Sequence, residues 1–142
     1  MIRQATHEDL DQLVELARKF HAISPFAKYT FSPSGTKNYL ASVLSGRPDT
    51  VIFMTDTAAI GGRVTYLPFC DATIARESFW FSDGGSDGLK VLREYMRWVE
   101  SRGVDIDIMT GMFCKDQDNQ RVLNVLDRLG YRGAEMTLNR YL

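Results

Sequence analysis

The sequence predicts an α/β domain, of the α+β kind: a mixed sheet with helices packed on its faces. Three observations carry this. Three β-rich segments follow one another between residues 51 and 81. A glycine-rich loop over residues 82–88 joins the last of them to a strongly amphipathic helical pattern. A strand, a helix and a closing strand then complete the chain, and consecutive strands followed by a strand–helix–strand unit make a mixed sheet. The 142 residues suit one domain spanning 1–142.

The elements follow in order. Thr6 precedes Leu10, Leu13, Val14, Ala17 and Phe20, which recur at the helical period, and Asp9 three positions after Thr6 closes a capping box. Residues 24–35, rich in Ser, Pro and aromatics, read as a loop. A second helix is expected over Thr36–Leu44, with Tyr39, Leu40, Val43 and Leu44 as its buried stripe. Val51–Met54 is a short apolar strand, Asp56-Thr57 a turn, and Ala59–Leu67 a second strand in which Gly61-Gly62 mark a bulge. Thr73–Phe81 is β-branched and aromatic, so a third strand is expected. After Ser82-Asp83-Gly84-Gly85-Ser86-Asp87-Gly88 comes a helix whose buried face is Leu89, Leu92, Tyr95, Met96 and Val99, with Gly103 as its C-cap. Val104–Ile108 alternates as a half-buried strand. The last helix starts at about Asp118, buries Val122, Val125, Leu126 and Leu129, and stops at Gly130; Met136–Leu142 is expected to form the closing strand.

Composition narrows the function classes. Hydrophobic residues make up 44% and charged residues 25%, which excludes a disordered chain, a collagen-like repeat and a coiled coil. No apolar run reaches the ~18 residues of a spanning helix, and the first residues show no secretory signal, so neither a membrane partner nor export is expected. Lys+Arg number 17 against Asp+Glu 18, without a basic block, which argues against nucleic acid as a partner. Cys70 and Cys114 are far apart, and the expectation is two ordinary thiols in a reducing, cytoplasmic setting. His7 and His21 have no ligand spacing, so no metal site is expected. Residues 116–127 resemble a calcium loop only faintly, because Arg121 and Asp127 occupy positions that need Gly and Glu.

The segment most informative about chemistry runs from Thr73 to Arg102. Gly84, Gly85 and Gly88 give the backbone freedom to approach an anion, and the free N–H groups of the helix that follows favour a phosphate. A plain β–α connection is the alternative. The loop is not a P-loop, since no Gly-Lys-Ser/Thr follows, and repeated βαβ units are missing for a dinucleotide fingerprint. Glu77 shares strand parity with Ala75, Phe79 and Phe81. That places it on an apolar face, where burial lifts a carboxyl toward the range of a general base. The alternative parity sets it at the sheet surface beside Arg63 or Arg76. Asp105 and Asp107 alternate with isoleucines and are expected on the solvated face of their strand.

With these residues in view the chain resembles the GNAT superfamily of N-acetyltransferases over nearly its whole length. Ile2–Leu10 resembles the family's first strand and first helix, Thr73–Phe81 its fourth strand, and Gly88-Leu89-Lys90-Val91-Leu92 the end of its pyrophosphate loop. Asn119–Tyr131, ending Asp127-Arg128-Leu129-Gly130-Tyr131, resembles its late helix. The resemblance implies a mostly antiparallel mixed sheet and acetyl-CoA as cosubstrate, with a small-molecule or protein amine as acceptor. It also implies a fourth strand splayed from the fifth, and it allows a homodimer. It implies that Phe79, Trp80 and Phe81 on the strand, Asp83, Gly84, Gly85, Ser86, Asp87 and Gly88 in the loop, and Asn119 on the late helix bind the cosubstrate. Glu77 becomes the base. Phe26, Tyr29 and Phe31 fall in the region that forms one wall of the acceptor pocket, and Cys114 falls near the thioester. Two features depart from the pattern. Asp83 and Ser86 replace Gln/Arg and Gly in the loop, where a carboxylate opposes a phosphate by up to ~4 kcal/mol at 4 Å unless directed away. Leu126 stands where many members carry a Tyr acid. The rival reading these departures support is a non-catalytic module that keeps the fold to bind a ligand or a protein.

Overall fold

The computed structural model describes every residue except 113, 115, 116 and 136. Strand β1 (Arg3–Gln4) leads through a single 3-10 turn (His7–Asp9) into helix α1 (Leu10–Ile23), and α2 (Pro33–Ser45) follows. Strands β2 (Thr50–Met54), β3 (Ala58–Tyr66) and β4 (Thr73–Ser82) come next, then α3 (Asp87–Ser101), β5 (Ile106–Ile108) and α4 (Asn119–Arg128). The five strands form one sheet in sequence order, antiparallel except for the parallel pair β4–β5. The mixed, mostly antiparallel sheet is therefore as expected. No helix among the described residues is long and apolar enough to cross a membrane.

Local chemistry sets most boundaries. Thr6 accepts from the Glu8 N–H while Asp9 accepts from the Thr6 N–H at 2.8 Å, the expected capping box. Helix α2 begins three residues earlier than expected, because Ser32 caps it through the Gly35 N–H at 3.2 Å and Pro33 occupies the first turn, where its missing N–H costs nothing. Asp118 caps α4 through the Arg121 N–H at 2.9 Å, and Gly103 and Gly130 take positive φ just past α3 and α4.

The sheet is buried on both faces, so β2 reads as a continuous apolar run. Ile52 and Met54 pack with Leu13, Leu40 and Phe79 under α1 and α2. Val51 and Phe53 pack with Ile60, Leu92 and Tyr95 under α3. Helix α4 contributes less than expected: Val125, Leu126 and Leu129 are half-buried, but Val122 is 41% exposed. The closing strand does not form among the described residues of 136–142. Residues 137–142 lie outside every helix and strand, and Leu138 is 84% exposed. A strand needs a neighbouring strand and a covered face, and among the described residues this segment has neither. Met136 itself lies outside the described residues.

Candidate active site

Gly61 and Gly62 do mark a bulge, but the extra residue lies on the opposite strand. Gly61 pairs with Phe79 and Gly62 with Glu77, leaving Ser78 without an opposite number. The bulge reverses side-chain parity along β4. Phe79 belongs to the α1/α2 core, whereas Ala75 belongs to the core under α3. A Cβ on Gly62 would meet the Tyr95 ring of α3 at 2.6 Å, so Gly62 and its partner Glu77 face α3. The expected parity is thus corrected: Glu77 shares a face with Ala75 but not with Phe79 and Phe81. It is nonetheless buried, at 7% exposure, and not at the surface beside Arg63 or Arg76.

Strands β4 and β5 part beyond Arg76–Ile108, while β4 runs on to Ser82. On this side residues 77–82 have no strand partner among the described residues. The Glu77 carboxylate reaches across the start of the parting and accepts from the Thr110 N–H at 3.2 Å. Burial pushes the Glu77 carboxyl up to about 7, against the lowering effect of that hydrogen bond. Its surroundings are polar but enclosed. The Tyr95 hydroxyl is fully buried without a partner among the described residues. Burial, then the Asp107 and Glu77 charges, raise its pKa.

Asp107 corrects a second expectation. It pairs with Ala75, so it faces α3 rather than solvent. It accepts from the Tyr131 hydroxyl at 2.5 Å, and burial raises its carboxyl. Asp105 instead accepts from the Thr73 N–H at 2.9 Å at the start of the pairing.

At its far end β4 delivers the chain into the glycine loop. Gly84 and Gly85 adopt φ of 95° and 74°, a region that disfavours other residues. A Cβ on Gly88 would lie 2.9 Å from Ser82 Oγ, and the Trp80 indole donates to the Gly88 carbonyl at 3.0 Å, so strand end and helix start are in contact. The backbone N–H groups of residues 84–89 have no acceptor among the described residues, and the first loop-closing bond of α3 is Lys90 N–H to Ser86 O at 3.3 Å. Both loop carboxylates are engaged by lysines. Asp83 accepts from Lys19 of α1 at 2.7 Å. Asp87 accepts from Lys90 and from the Thr57 hydroxyl, each at 2.9 Å, and these partners with Thr55 hold its carboxyl down to about 2.

On the α1/α2 face a groove of about 420 Å³ opens beside this end of β4. Phe81 and Met112, from the two sides of the parting, both line it, with Phe26 and Phe31 from the α1–α2 loop. Tyr29 is half-exposed and is not part of the lining. The Asn119 amide accepts from the Cys114 N–H at 3.0 Å and donates to the Cys114 carbonyl at 3.1 Å, closing the turn before α4. Burial raises the Cys114 thiol above its ordinary value. Leu126 packs, half-buried, on the α3-side core. Among the described residues no group of three or more His, Cys, Asp or Glu side chains could hold a metal ion.

Lys19, Thr110, Tyr95 and Asp107 were not marked as site residues by the sequence. For Lys19 no local signal exists, since its partner is 64 positions away. Tyr95 carried one: a hydroxyl within an otherwise apolar helical stripe.

No protein-family model and no curated protein sequence matches the chain. Solved structures do. A protein described as a probable acetyltransferase superposes with a TM-score of 0.73 at 17% identity, covering 100% of this chain and 96% of its own. The protein AAC(6')-Iy, in complex with the bisubstrate analogue CoA-S-monomethyl-acetylneamine, gives 0.70 at 14% identity, covering 100% and 97%. A transcriptional regulator from Bacillus halodurans C-125 gives 0.73 at 15%, covering 100% and 99%. At these identities the likeness establishes the fold, which is the GNAT acetyltransferase fold.

Proposed function

We propose that the chain transfers an acetyl group from acetyl-CoA to a primary amine. One observation carries the reading: β4 joins a buried carboxyl at the parting of two parallel strands to a loop whose N–H groups are free. The first is what an amine acceptor needs, the second what a pyrophosphate needs. The fold, shared with a structure solved around a CoA conjugate, supports the same reading.

In this mechanism the N–H groups of residues 84–89 bind the pyrophosphate, and Lys19 and Lys90 shield it from Asp83 and Asp87. The thioester lies along the parting, where the alternate backbone N–H groups of residues 77–82 that do not pair with β3 face the forming oxyanion. Glu77, poised at about 7, takes the ammonium proton directly or through solvent. The neutral nitrogen attacks the thioester carbon, the tetrahedral intermediate gives up the nitrogen's second proton to solvent, the C–S bond breaks, and the sulfur departs with the electron pair. Leu126 carries no proton to give. A coenzyme A thiol with a pKa near that of free cysteine, about 8.5, is a tolerable leaving group as thiolate. Turnover is therefore slow rather than absent.

A second reading, a module that binds the same cosubstrate without transferring its acetyl group, is favoured by Leu126 together with the loop departures Asp83 and Ser86. Calorimetric titration with acetyl-CoA, followed by measurement of thiol release with a panel of amines, separates the two. Saturable binding with amine-dependent release supports the enzyme. Binding without release supports the module, and absence of binding at millimolar acetyl-CoA refutes both.

A further inference from the structure

The geometry points to an acceptor whose amine is carried on an aromatic or branched apolar body, and not to a polycation such as a polyamine or an aminoglycoside. This rests on the acetyl-transfer reading for the direction of the chemistry, but its argument lies in the groove itself.

The groove is walled by Phe20, Phe26, Phe31, Tyr39 and Phe81. The rings contact one another: Phe20 and Phe81 have centroids 5.0 Å apart, and Phe81 lies 4.7 Å from Phe79 in a near-parallel stack. A flat apolar body entering here continues an existing aromatic stack. The polar side-chain groups along the wall are the hydroxyls of Ser24, Ser32, Thr36 and Tyr39 and the His21 imidazole, which is turned to the Phe26 carbonyl at 3.1 Å. Among the described residues no carboxylate lines the groove.

That matters because each additional ammonium of a polycation must exchange water for something. Burying it without a countercharge is costly. A guanidinium beside the wall works against it as well. The Arg18 guanidinium, whose other partner is the exposed Glu15, sits 4.9 Å from the centroid of Phe31, on a ring that lines the groove. A polycation therefore meets apolar rings and a guanidinium, whereas an acceptor with one amine directs that group toward the parting, between Phe81 and Met112, and leaves its body in the groove. Glu77 stands at the start of the parting, outside the lining of the groove, so in the acetyl-transfer reading it takes the proton of a single amine through solvent.

The probes are phenethylamine, spermidine and neamine, titrated into the full chain with and without coenzyme A. Phenethylamine is expected to bind at least about tenfold tighter than either polycation. Phe31→Ser is expected to abolish that preference. Thr36→Glu, on an already folded helix, sets a carboxylate in the wall and is expected to shift preference toward spermidine. Tighter binding of spermidine or neamine by the unmodified chain overturns the proposal, as does binding of none of the three while coenzyme A binds. Failure of coenzyme A to bind refutes the acetyl-transfer reading instead, and the arm without it still reports on the groove.

Discussion

Replacing Glu77 by Gln tests the candidate base and its environment together. The amide keeps nearly the same shape and can still accept from the Thr110 N–H, but it does not titrate. In the folded protein the Glu77 carboxyl is pushed from 4.5 up to about 7, chiefly by burial. Below 4.5 the carboxyl is neutral whether the chain is folded or not, and it costs nothing. Between 4.5 and 7 the unfolded chain loses the proton freely while the folded one retains it, so the folded state binds more protons and stability falls as pH rises. Above 7 both forms are ionised and the penalty is constant. At about 1.4 kcal/mol for each pH unit between the two values, the penalty is about 3 kcal/mol. Urea denaturation of both proteins at several pH values is the assay. The stability of Glu77→Gln minus that of the unmodified chain is expected to rise by about 3 kcal/mol between pH 4 and pH 8. Taking the difference removes the acid lability both proteins share through Asp9 and Asp87, whose carboxyls are held at about 2. The same variant is expected to flatten the rise of the acylation rate through pH 7 while acetyl-CoA affinity holds. A pH-independent stability difference would refute the burial argument, and an unchanged rate profile would remove Glu77 from the chemistry.

Three further outcomes are expected. Gly62→Ala drives a methyl to 2.4 Å from the Tyr95 hydroxyl inside a full core, so it should cost about 1–3 kcal/mol in urea denaturation, and Tyr95→Phe should recover part of that loss. Gly88→Val pushes the start of α3 off Ser82 and should weaken acetyl-CoA binding by calorimetry with little change in the circular dichroism of the folded chain. Lys19→Met leaves Asp83 uncompensated beside the loop and should weaken acetyl-CoA up to about fivefold, in keeping with an exposed ion pair. Adding Asp83→Asn should restore the affinity, and no restoration would show that Lys19 acts by another route.

The sequence by itself determined the helices, the three central strands and the glycine loop, because each rests on interactions within a few residues. Thr6 and Asp9 satisfy each other's backbone, Gly84 and Gly85 take φ values other residues avoid, and the stripe Leu92, Tyr95 and Val99 repeats at the helical period. Even the early start of α2 lay in the chain, in Ser32-Pro33. Tertiary structure decided which way the side chains at the site look. An unpaired Ser78 on β4 turned Glu77 toward α3 while leaving Phe79 under α1, and nothing local marks which of two strands will carry a bulge. Pairing with Ala75 turned Asp107 inward, although its isoleucine neighbours read as the buried set. A closing strand is expected over 136–142, yet 137–142 form none, because hydrogen bonds to a neighbour and not composition make a strand. Lys19 and Asp83 meet only because α1 packs beside the end of β4. Local patterning fixes what a segment becomes; register and packing between distant segments fix what its side chains touch, and the chemistry proposed here depends on the second.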